Sequence, residues 1–159
     1  MTPSEDIPLR SFASADLEVV KRLIDETIDA CYVGVYPPNA VRFFKEHHSC
    51  DRIREGAGNG YTVVLEDLGR IVGTGTLVRD HVSRVFVAVD AQGRGYGKAI
   101  MDALEDRARA DGVTMIELSA SLPSTRFYER LGYELYEEAS IDVGEGQTLD
   151  FWRARKSLG

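Results

Sequence analysis

Hydrophobic and polar positions repeat with two different periods along the chain, and the changes of period divide it into helices and strands. Apolar residues three and four positions apart predict amphipathic helices over residues 17–31 and 100–108. Short runs rich in β-branched and aromatic residues predict strands before, between and after these helices. The predicted strands cover residues 7–12, 61–66, 71–78, 85–89, 113–119, 133–142 and 148–156.

Two helices are predicted between the first two strands. Ser14 or Asp16 can cap the first helix, and the prolines at positions 37 and 38 end it. Asn39 can cap a shorter second helix that reaches His47. Residues 49–60 combine charged residues with three glycines, so we predict a mobile loop there.

The order of these elements predicts the topology of the sheet. Short turns at residues 67–70 and 79–80 indicate an antiparallel meander that leads into the strand over 85–89. The helix that follows returns the chain to strand 113–119, which we predict to lie parallel through a right-handed crossover. Residues 143–146 join the last two strands as a hairpin. We therefore predict one α/β domain over residues 1–159, with a mixed, twisted sheet of six or seven strands and helices on both faces.

A glycine-rich stretch links the strand at 85–89 to the helix behind it. Gly93, Gly95 and Gly97 alternate with polar residues there, so backbone N–H groups can approach an anion closely and the helix start adds unpaired donors. The third glycine of a dinucleotide-binding fingerprint would fall at Ile100, and no Gly-Lys-Ser/Thr sequence marks a nucleoside triphosphate loop. The alternative is a glycine-rich turn that binds nothing.

Two motifs together resemble one known family. The pattern Gln92-x-x-Gly95-x-Gly97 resembles the acetyl-CoA pyrophosphate loop of GCN5-related N-acetyltransferases (GNAT). Residues 126–133, Arg-Phe-Tyr-Glu-Arg-Leu-Gly-Tyr, are similar to a helix found late in the same family. Phe127 and Leu131 share one face of that helix, so we expect Tyr128 to point away from the packed face. A plain packing helix with a surface tyrosine is the alternative.

The resemblance implies a GNAT-like acyl-CoA N-acyltransferase fold that binds acetyl-CoA. In this family the strands flanking the phosphate loop and its helix splay apart, and the pantetheine arm pairs with free backbone groups, here those of Val87 and Val89. Ser121 and Ser124 stand where asparagine and alanine are frequent, and Val89 stands where proline is frequent. The cofactor-binding residues implied are Val87, Ala88, Val89, Gln92, Gly93, Arg94, Gly95, Tyr96, Gly97, Lys98, Ser121 and Tyr128.

The resemblance also implies the catalytic groups. Tyr128 is the candidate general acid for the departing CoA thiolate. His81 is the better candidate base for the amine, because it shares strand parity with Val87 and many relatives carry glutamate there. Glu117 on the neighbouring strand is the other candidate, and an ordinary polar residue at a strand end is the alternative for both. We expect His47 and His48 to be solvated.

Tyr32 and Tyr36 are the candidate substrate-binding residues. Together with Phe43 and Phe44 they suggest a partly aromatic wall in the region that shapes the acceptor site in this family. The acceptor itself stays open: a small molecule, an amino acid or a peptide.

Composition narrows the class of partner. A net charge of −7 argues against nucleic acid, whereas a cationic acceptor would be attracted, although acidity also serves solubility. No apolar run approaches the ~20 residues of a membrane helix, and Cys31 and Cys50 fit no metal spacing, so we expect no membrane and no metal partner. The first six residues lack the regions of a signal peptide, which predicts a cytoplasmic protein. We expect the protein to be a monomer or a homodimer.

The sequence thus predicts an acetyl-CoA-dependent N-acetyltransferase in which a primary amine attacks the thioester directly. A sensor of the same fold that binds acyl-CoA without turnover is the first alternative. A nucleotide-phosphate-binding domain that shares only the loop is the second.

Overall fold

The computed structural model describes residues 7–159, and a seven-stranded sheet runs through it. The prediction about the first six residues lies outside the described range. All neighbouring strands are antiparallel except β4 and β5, as predicted for a mixed sheet. The strands are β1 Leu9–Ser11, β2 Tyr61–Asp67, β3 Arg70–Val78, β4 His81–Val87, β5 Met115–Ser121, β6 Glu134–Gly144 and β7 Gln147–Ser157, in the spatial order β1-β2-β3-β4-β5-β7-β6.

Helices cover both faces of the sheet, which confirms the predicted layers. Helix α4 buries Ile100 and Leu104 on one face, and α1 buries Ile24 and Ile28 in a second core on the other. Within residues 7–159 no helix is long and apolar enough to cross a membrane. The helices are α1 Leu17–Cys31, α2 Pro38–His47, α3 Cys50–Asn59, α4 Tyr96–Ala110 and α5 Thr125–Arg130.

The predicted mobile loop at residues 49–60 is wrong, because this segment forms α3. The Ser49 hydroxyl caps the helix by accepting the N–H of Arg52 at 3.3 Å. Ile53 is buried, and a Cβ on Gly56 would lie 3.2 Å from the Thr76 Cγ2 atom. Gly56 therefore allows close packing of α3 against the sheet, which outweighs its poor helix propensity.

The predicted helix caps also differ from the structure. Pro37 occupies the N-cap of α2 and Pro38 its first turn, which leaves Asn39 inside the helix with its amide donating to the Val143 carbonyl at 3.2 Å. Ser14 makes no cap, because a short 3-10 turn over Ser14–Asp16 precedes α1. The Asp16 carboxylate accepts the Ala13 N–H at 2.7 Å.

A β-bulge interrupts the pairing of β3 and β4. Gly75 on β3 stands opposite both Arg84 and Val85, and Arg84 takes a φ of 55°. Val82 and Phe86, four positions apart, consequently belong to the two different cores. The bulge reverses strand parity, so the expectation that His81 shares a face with Val87 is wrong.

Strands β4 and β5 separate soon after they meet. They pair only through His81 with Glu117 and Val82 with Leu118, whereas β5 stays paired with β7 as far as Ser121. The C-terminal part of β4 therefore faces an open wedge. This splay agrees with the expectation drawn from the family resemblance.

Candidate active site

The glycine-rich loop at the end of the wedge presents a row of free backbone donors. Gly93 and Gly95 take φ values of 80° and 83°, a left-handed conformation that side chains disfavour. A Cβ on either glycine would meet no atom within 4 Å, so the space in front of them is open. Within the described range, no N–H from residue 93 to residue 98 donates to a backbone carbonyl.

Helix α4 begins directly behind this loop. Its N-cap is Gly95, whose carbonyl accepts the N–H of Ala99 at 3.1 Å. The preceding N–H groups and the positive end of the helix dipole therefore point towards the loop, which suits a diphosphate group. Gly97 has a different role, because a Cβ there would lie 2.9 Å from the Phe127 ring. It allows α4 and α5 to pack closely.

The predicted cationic residues of the loop are paired on the surface. Arg94 contacts Asp67 at 3.3 Å and Lys98 contacts Asp102 at 2.8 Å, and the hydrogen bond to Asp102 raises the pKa of Lys98. Exposed ion pairs of this kind contribute little. Both cations can therefore turn to an anion bound by the loop.

The backbone groups that we expect to bind the pantetheine arm lie at the end of β4 and just beyond it. The Ala88 N–H donates to the Val72 carbonyl at 2.8 Å, so alternation along the strand turns the Val87 N–H and carbonyl towards the wedge. The carbonyl of Val87 already accepts the Gln92 side-chain amide at 2.9 Å. Val89 begins a 3-10 turn over Val89–Ala91, and its carbonyl accepts the Gln92 N–H at 3.4 Å.

A cavity of about 240 Å³ lies beside the wedge. It lies on the side of the sheet that α1 and α2 cover, between β4, β5 and the last two strands. Its wall combines aromatic rings with polar side chains. The lining residues are Tyr32, Phe43, Phe44, His47, His48, His81, Val82, Ser83, Arg84, Val85, Phe86, Ser119, Ser121, Ser124, Tyr128, Ile141, Leu149 and Phe151.

Tyr128 reaches this cavity from α5. The expectation that it points away from the packed face is wrong: its ring is only 7% exposed and packs edge-on against Phe127 and Tyr133. Burial raises the pKa of Tyr128, which keeps the phenol protonated. Its hydroxyl makes no hydrogen bond to any described residue, and it is not fully enclosed. A proton donor is therefore available at the cavity wall.

The two candidate substrate tyrosines have different positions. Tyr32 lines the cavity, and its hydroxyl donates to Ser121 at 2.9 Å, while Ser121 and Ser124 are hydrogen-bonded at 2.7 Å. Tyr36 lies outside the cavity lining and has a structural role instead. Its hydroxyl donates to the Asp150 carbonyl and accepts the Leu122 N–H, each at 2.8 Å.

The two candidate bases are neighbours across the β4–β5 pair. His81 lines the cavity, and burial lowers its pKa although Asp80 and Glu117 oppose the shift. Glu117 lies outside the lining and accepts a hydrogen bond from Tyr136 at 3.3 Å. The structure thus brings His81, but not Glu117, to the cavity that contains Tyr128.

The expectation of solvated histidines is wrong for His48, whereas His47 is exposed as expected. His48 is 6% exposed and packs edge-on against Phe86, with ring centroids 5.2 Å apart. Burial is the largest cause that lowers its pKa to about 2. His47 is exposed and stacks on Phe43, and its pKa is also lowered, mainly through partial desolvation. Both imidazoles line the cavity in the neutral form.

Arg84 and Ser83 are cavity residues that the sequence did not single out. Arg84 directly precedes the apolar run 85–89, and a basic residue at that place is the local signal that could have identified it. The signal of α3 that was missed is Ser49 followed by Asp51 in the first turn. Among residues 7–159, no group of three or more His, Cys, Asp or Glu is arranged to hold a metal ion.

Comparison with known proteins identifies a family. Residues 29–144 match a family model described as an acetyltransferase (GNAT) domain. An uncharacterized acetyltransferase of Streptococcus pyogenes is 31% identical over 87 residues, which cover 52% of this chain and 61% of that protein. The match thus spans about three fifths of the length of these curated relatives.

Solved structures agree on the fold. A GCN5-related N-acetyltransferase from Rhodopseudomonas palustris, described as "Aminotransferase, Class-II", superposes with a TM-score of 0.86 at 22% identity, covering 95% of both chains. A putative acetyltransferase from Salmonella typhimurium, solved with its cofactor acetyl-CoA, gives a TM-score of 0.69 at 17% identity and covers 97% of this chain and 95% of that one. At these identities the likeness concerns the fold alone.

Proposed function

The chain belongs to the GNAT acetyltransferase family, and we propose that it is an N-acetyltransferase that moves the acetyl group of acetyl-CoA to a primary amine. One observation carries this proposal. The wedge between β4 and β5 runs from the glycine-rich loop with its free N–H groups to a cavity that contains an unpaired Tyr128 hydroxyl. Candidate donors for a diphosphate and a candidate proton donor are thus both brought to the region where β4 and β5 separate.

The residues of the loop fit the cofactor. Gly93 and Gly95 keep the backbone open, and the N–H groups up to residue 98 would hold the pyrophosphate, with Arg94 and Lys98 adding charge. The Val87 N–H faces the wedge, where it would donate to the thioester carbonyl as negative charge develops on its oxygen. Ser121 lies at the cavity wall beside this groove.

Proton transfers follow from the side chains of the cavity. A neutral amine is needed for attack on the thioester, and His81 is placed to accept its proton directly or through water. Tyr128 would give a proton to the departing thiolate, whose unperturbed pKa is about 8.5. Cys31 and Cys50 are free thiols outside the cavity lining, so we propose direct attack rather than an acyl-enzyme.

A nucleotide-phosphate-binding domain would differ from an acetyltransferase in the ligand that stabilises it. A ligand present at 100 times its Kd stabilises a protein by about 2.7 kcal/mol, which a thermal melt detects. We expect acetyl-CoA to raise the melting temperature and ATP to leave it unchanged. Stabilisation by ATP but not by acetyl-CoA would instead indicate a nucleotide-phosphate-binding domain.

Turnover separates an enzyme from a sensor. The direct test is a panel of amines, amino acids and peptides assayed for release of free CoA thiol, with the same mixture lacking amine as the control. We expect release that depends on the amine. Binding of acetyl-CoA without release for any member of the panel would favour the sensor and contradict the proposed transfer.

A further inference from the structure

Two buried polar atoms at the cavity have no hydrogen-bond partner. They are the His48 Nδ1 atom and the Arg84 Nε atom, and no other side-chain nitrogen or oxygen in residues 7–159 is both fully buried and unpaired. Buried polar groups are nearly always satisfied, because an unmade hydrogen bond leaves the desolvation cost uncompensated. Both residues line the same cavity. Two unpaired buried nitrogens therefore belong to residues that line one cavity.

The Arg84 guanidinium is held in place by its surroundings. It belongs to the β-bulge with a φ of 55°, and its Nη1 atom donates to the Ser83 hydroxyl at 3.3 Å. A Cβ on Gly56 of α3 would lie 3.2 Å from the same Nη1 atom, so the helix packs directly on the guanidinium. A strained backbone and a tight contact together hold the guanidinium at this wall.

The positive charge of Arg84 is not neutralised by the protein. Within residues 7–159 it makes no ion pair, and burial and the nearby Arg52 lower its pKa against a weaker opposing effect of Glu55. Even a partly buried cation without a counter-ion costs free energy. An anion that enters the cavity would offset this cost and accept the free Nε–H.

The charge of the cavity wall differs from that of the whole chain. The protein carries 26 acidic against 19 basic residues, yet within the described range no Asp or Glu lines the cavity. The wall is therefore unsuited to a polyamine or a lysine-rich peptide. Beside its serine, histidine and tyrosine side chains, the wall has an apolar part that comes from Phe43, Phe44, Phe86, Phe151, Ile141 and Leu149.

We propose that Arg84 and His48 form a carboxylate-binding subsite, and that the acceptor amine is an α-amino acid with an apolar or aromatic side chain. The carboxylate accepts the Arg84 Nε–H, and the neutral His48 donates from Nδ1 in one of its tautomers. The apolar wall holds the side chain. This proposal rests on the proposed acetyl transfer and names its substrate class.

The first experiment measures binding without turnover. N-acetyl-L-phenylalanine, a product of the proposed reaction, and its C-terminal amide are titrated calorimetrically into the full chain in the presence of CoA. A charge-assisted hydrogen bond corresponds to a roughly ten- to hundred-fold difference in affinity, so we expect the acid to bind more tightly than the amide by that factor. Equal binding of the two, or binding of neither, overturns the subsite.

Two variants test whether Arg84 causes the preference for the acid over the amide. Arg84→Gln keeps a long polar side chain without charge and should bind acid and amide alike, whereas Arg52→Gln, on the exposed face of α3, should keep the parent's preference. Retained preference in a folded Arg84→Gln protein contradicts the assignment. Because the acid–amide comparison uses the parent protein, it decides the proposal even where Arg84→Gln fails to fold.

Turnover assays test the carboxylate subsite separately from the proposed acetyl transfer. With acetyl-CoA, L-phenylalanine should be acetylated with a higher kcat/KM than L-phenylalaninamide or phenethylamine. If phenethylamine is the better acceptor, the carboxylate subsite is wrong while the acetyltransferase stands. If acetyl-CoA fails to bind at all, both proposals fall.

Discussion

At the scale of single residues, the Tyr128 hydroxyl can be removed without changing the packing of its ring. Its aromatic neighbours hold the ring, and its oxygen has no partner among the described residues. We expect Tyr128→Phe to lower kcat by roughly 10²-fold, because the thiolate then leaves without a positioned acid. Acetyl-CoA affinity should change little, as calorimetry can check.

Tyr136→Phe is the matched control for this variant. Its hydroxyl contacts Glu117 outside the cavity lining, so its removal should leave kcat within about twofold. Full activity in Tyr128→Phe would mean that water protonates the thiolate.

The candidate general base, His81, is also a single residue whose role can be tested. Burial lowers the pKa of His81, so its proton is lost below the usual value of about 6.5 and the residue is a neutral acceptor at pH 7. We expect kcat/KM to rise with pH through a pKa below 6.5 and then level off. In His81→Ala this rising limb of the pH–rate profile should disappear.

Glu117→Gln provides the comparison for His81. Because Glu117 lies outside the cavity lining, this variant should keep the limb. If instead Glu117→Gln loses the limb and His81→Ala keeps it, the role passes to Glu117. A limb that survives in both variants would belong to the ionisation of the acceptor amine.

At the scale of elements, the turn from β4 into α4 determines cofactor binding. Gly95 is the N-cap of α4 at a φ of 83°, which a β-branched residue adopts only with strain. Gly95→Val should therefore displace the free N–H groups and weaken acetyl-CoA binding by at least tenfold, measured by calorimetry. Gly97 is a poorer site for this test, because its substitution would also strain the contact with Phe127.

Gly112 at the other end of the same helix gives a matched control. It has a φ of 84° and open space around its missing Cβ, so Gly112→Val carries a similar backbone strain. Both variants should lose similar thermal stability, while only Gly95→Val should lose affinity. Equal loss of affinity in the two would indicate a general effect on α4 rather than a phosphate site.

At the scale of the whole molecule, the buried His48 couples stability to pH. Its pKa is lowered to about 2 in the folded protein, whereas in the unfolded chain it titrates near 6.5. Between these values the unfolded state binds the extra proton, so the free energy of unfolding falls as the pH drops below 6.5. The expected loss from this residue between pH 7 and pH 5 is about 2 kcal/mol.

Urea titrations at pH 7 and pH 5 test this coupling. His48→Asn should reduce the loss of stability between the two pH values, although its packing against Phe86 changes at both. His47→Asn is the control, since His47 is exposed and its variant should keep most of the loss. An unchanged pH dependence in His48→Asn would contradict the buried, neutral state of this imidazole.

The sequence by itself determined the features that depend on neighbours along the chain. The periodicity of Ile100, Met101 and Leu104 predicts the buried face of α4, and the glycines after β4 predict its open N-terminus. Likewise, Tyr128 is identified by the motif around it. These features could be predicted because a helix face, a turn and a cap are each fixed by a few consecutive residues.

Only the tertiary structure decided which side chains share the cavity. The bulge at Arg84 reverses strand parity by one extra residue, and β7 lies between β5 and β6 although it follows both in the chain. His48 is buried against Phe86 of β4, and Gly56 allows α3 to pack closely on the sheet. Each of these outcomes depends on packing between distant segments, whose free energy outweighs the local preferences that the sequence displays.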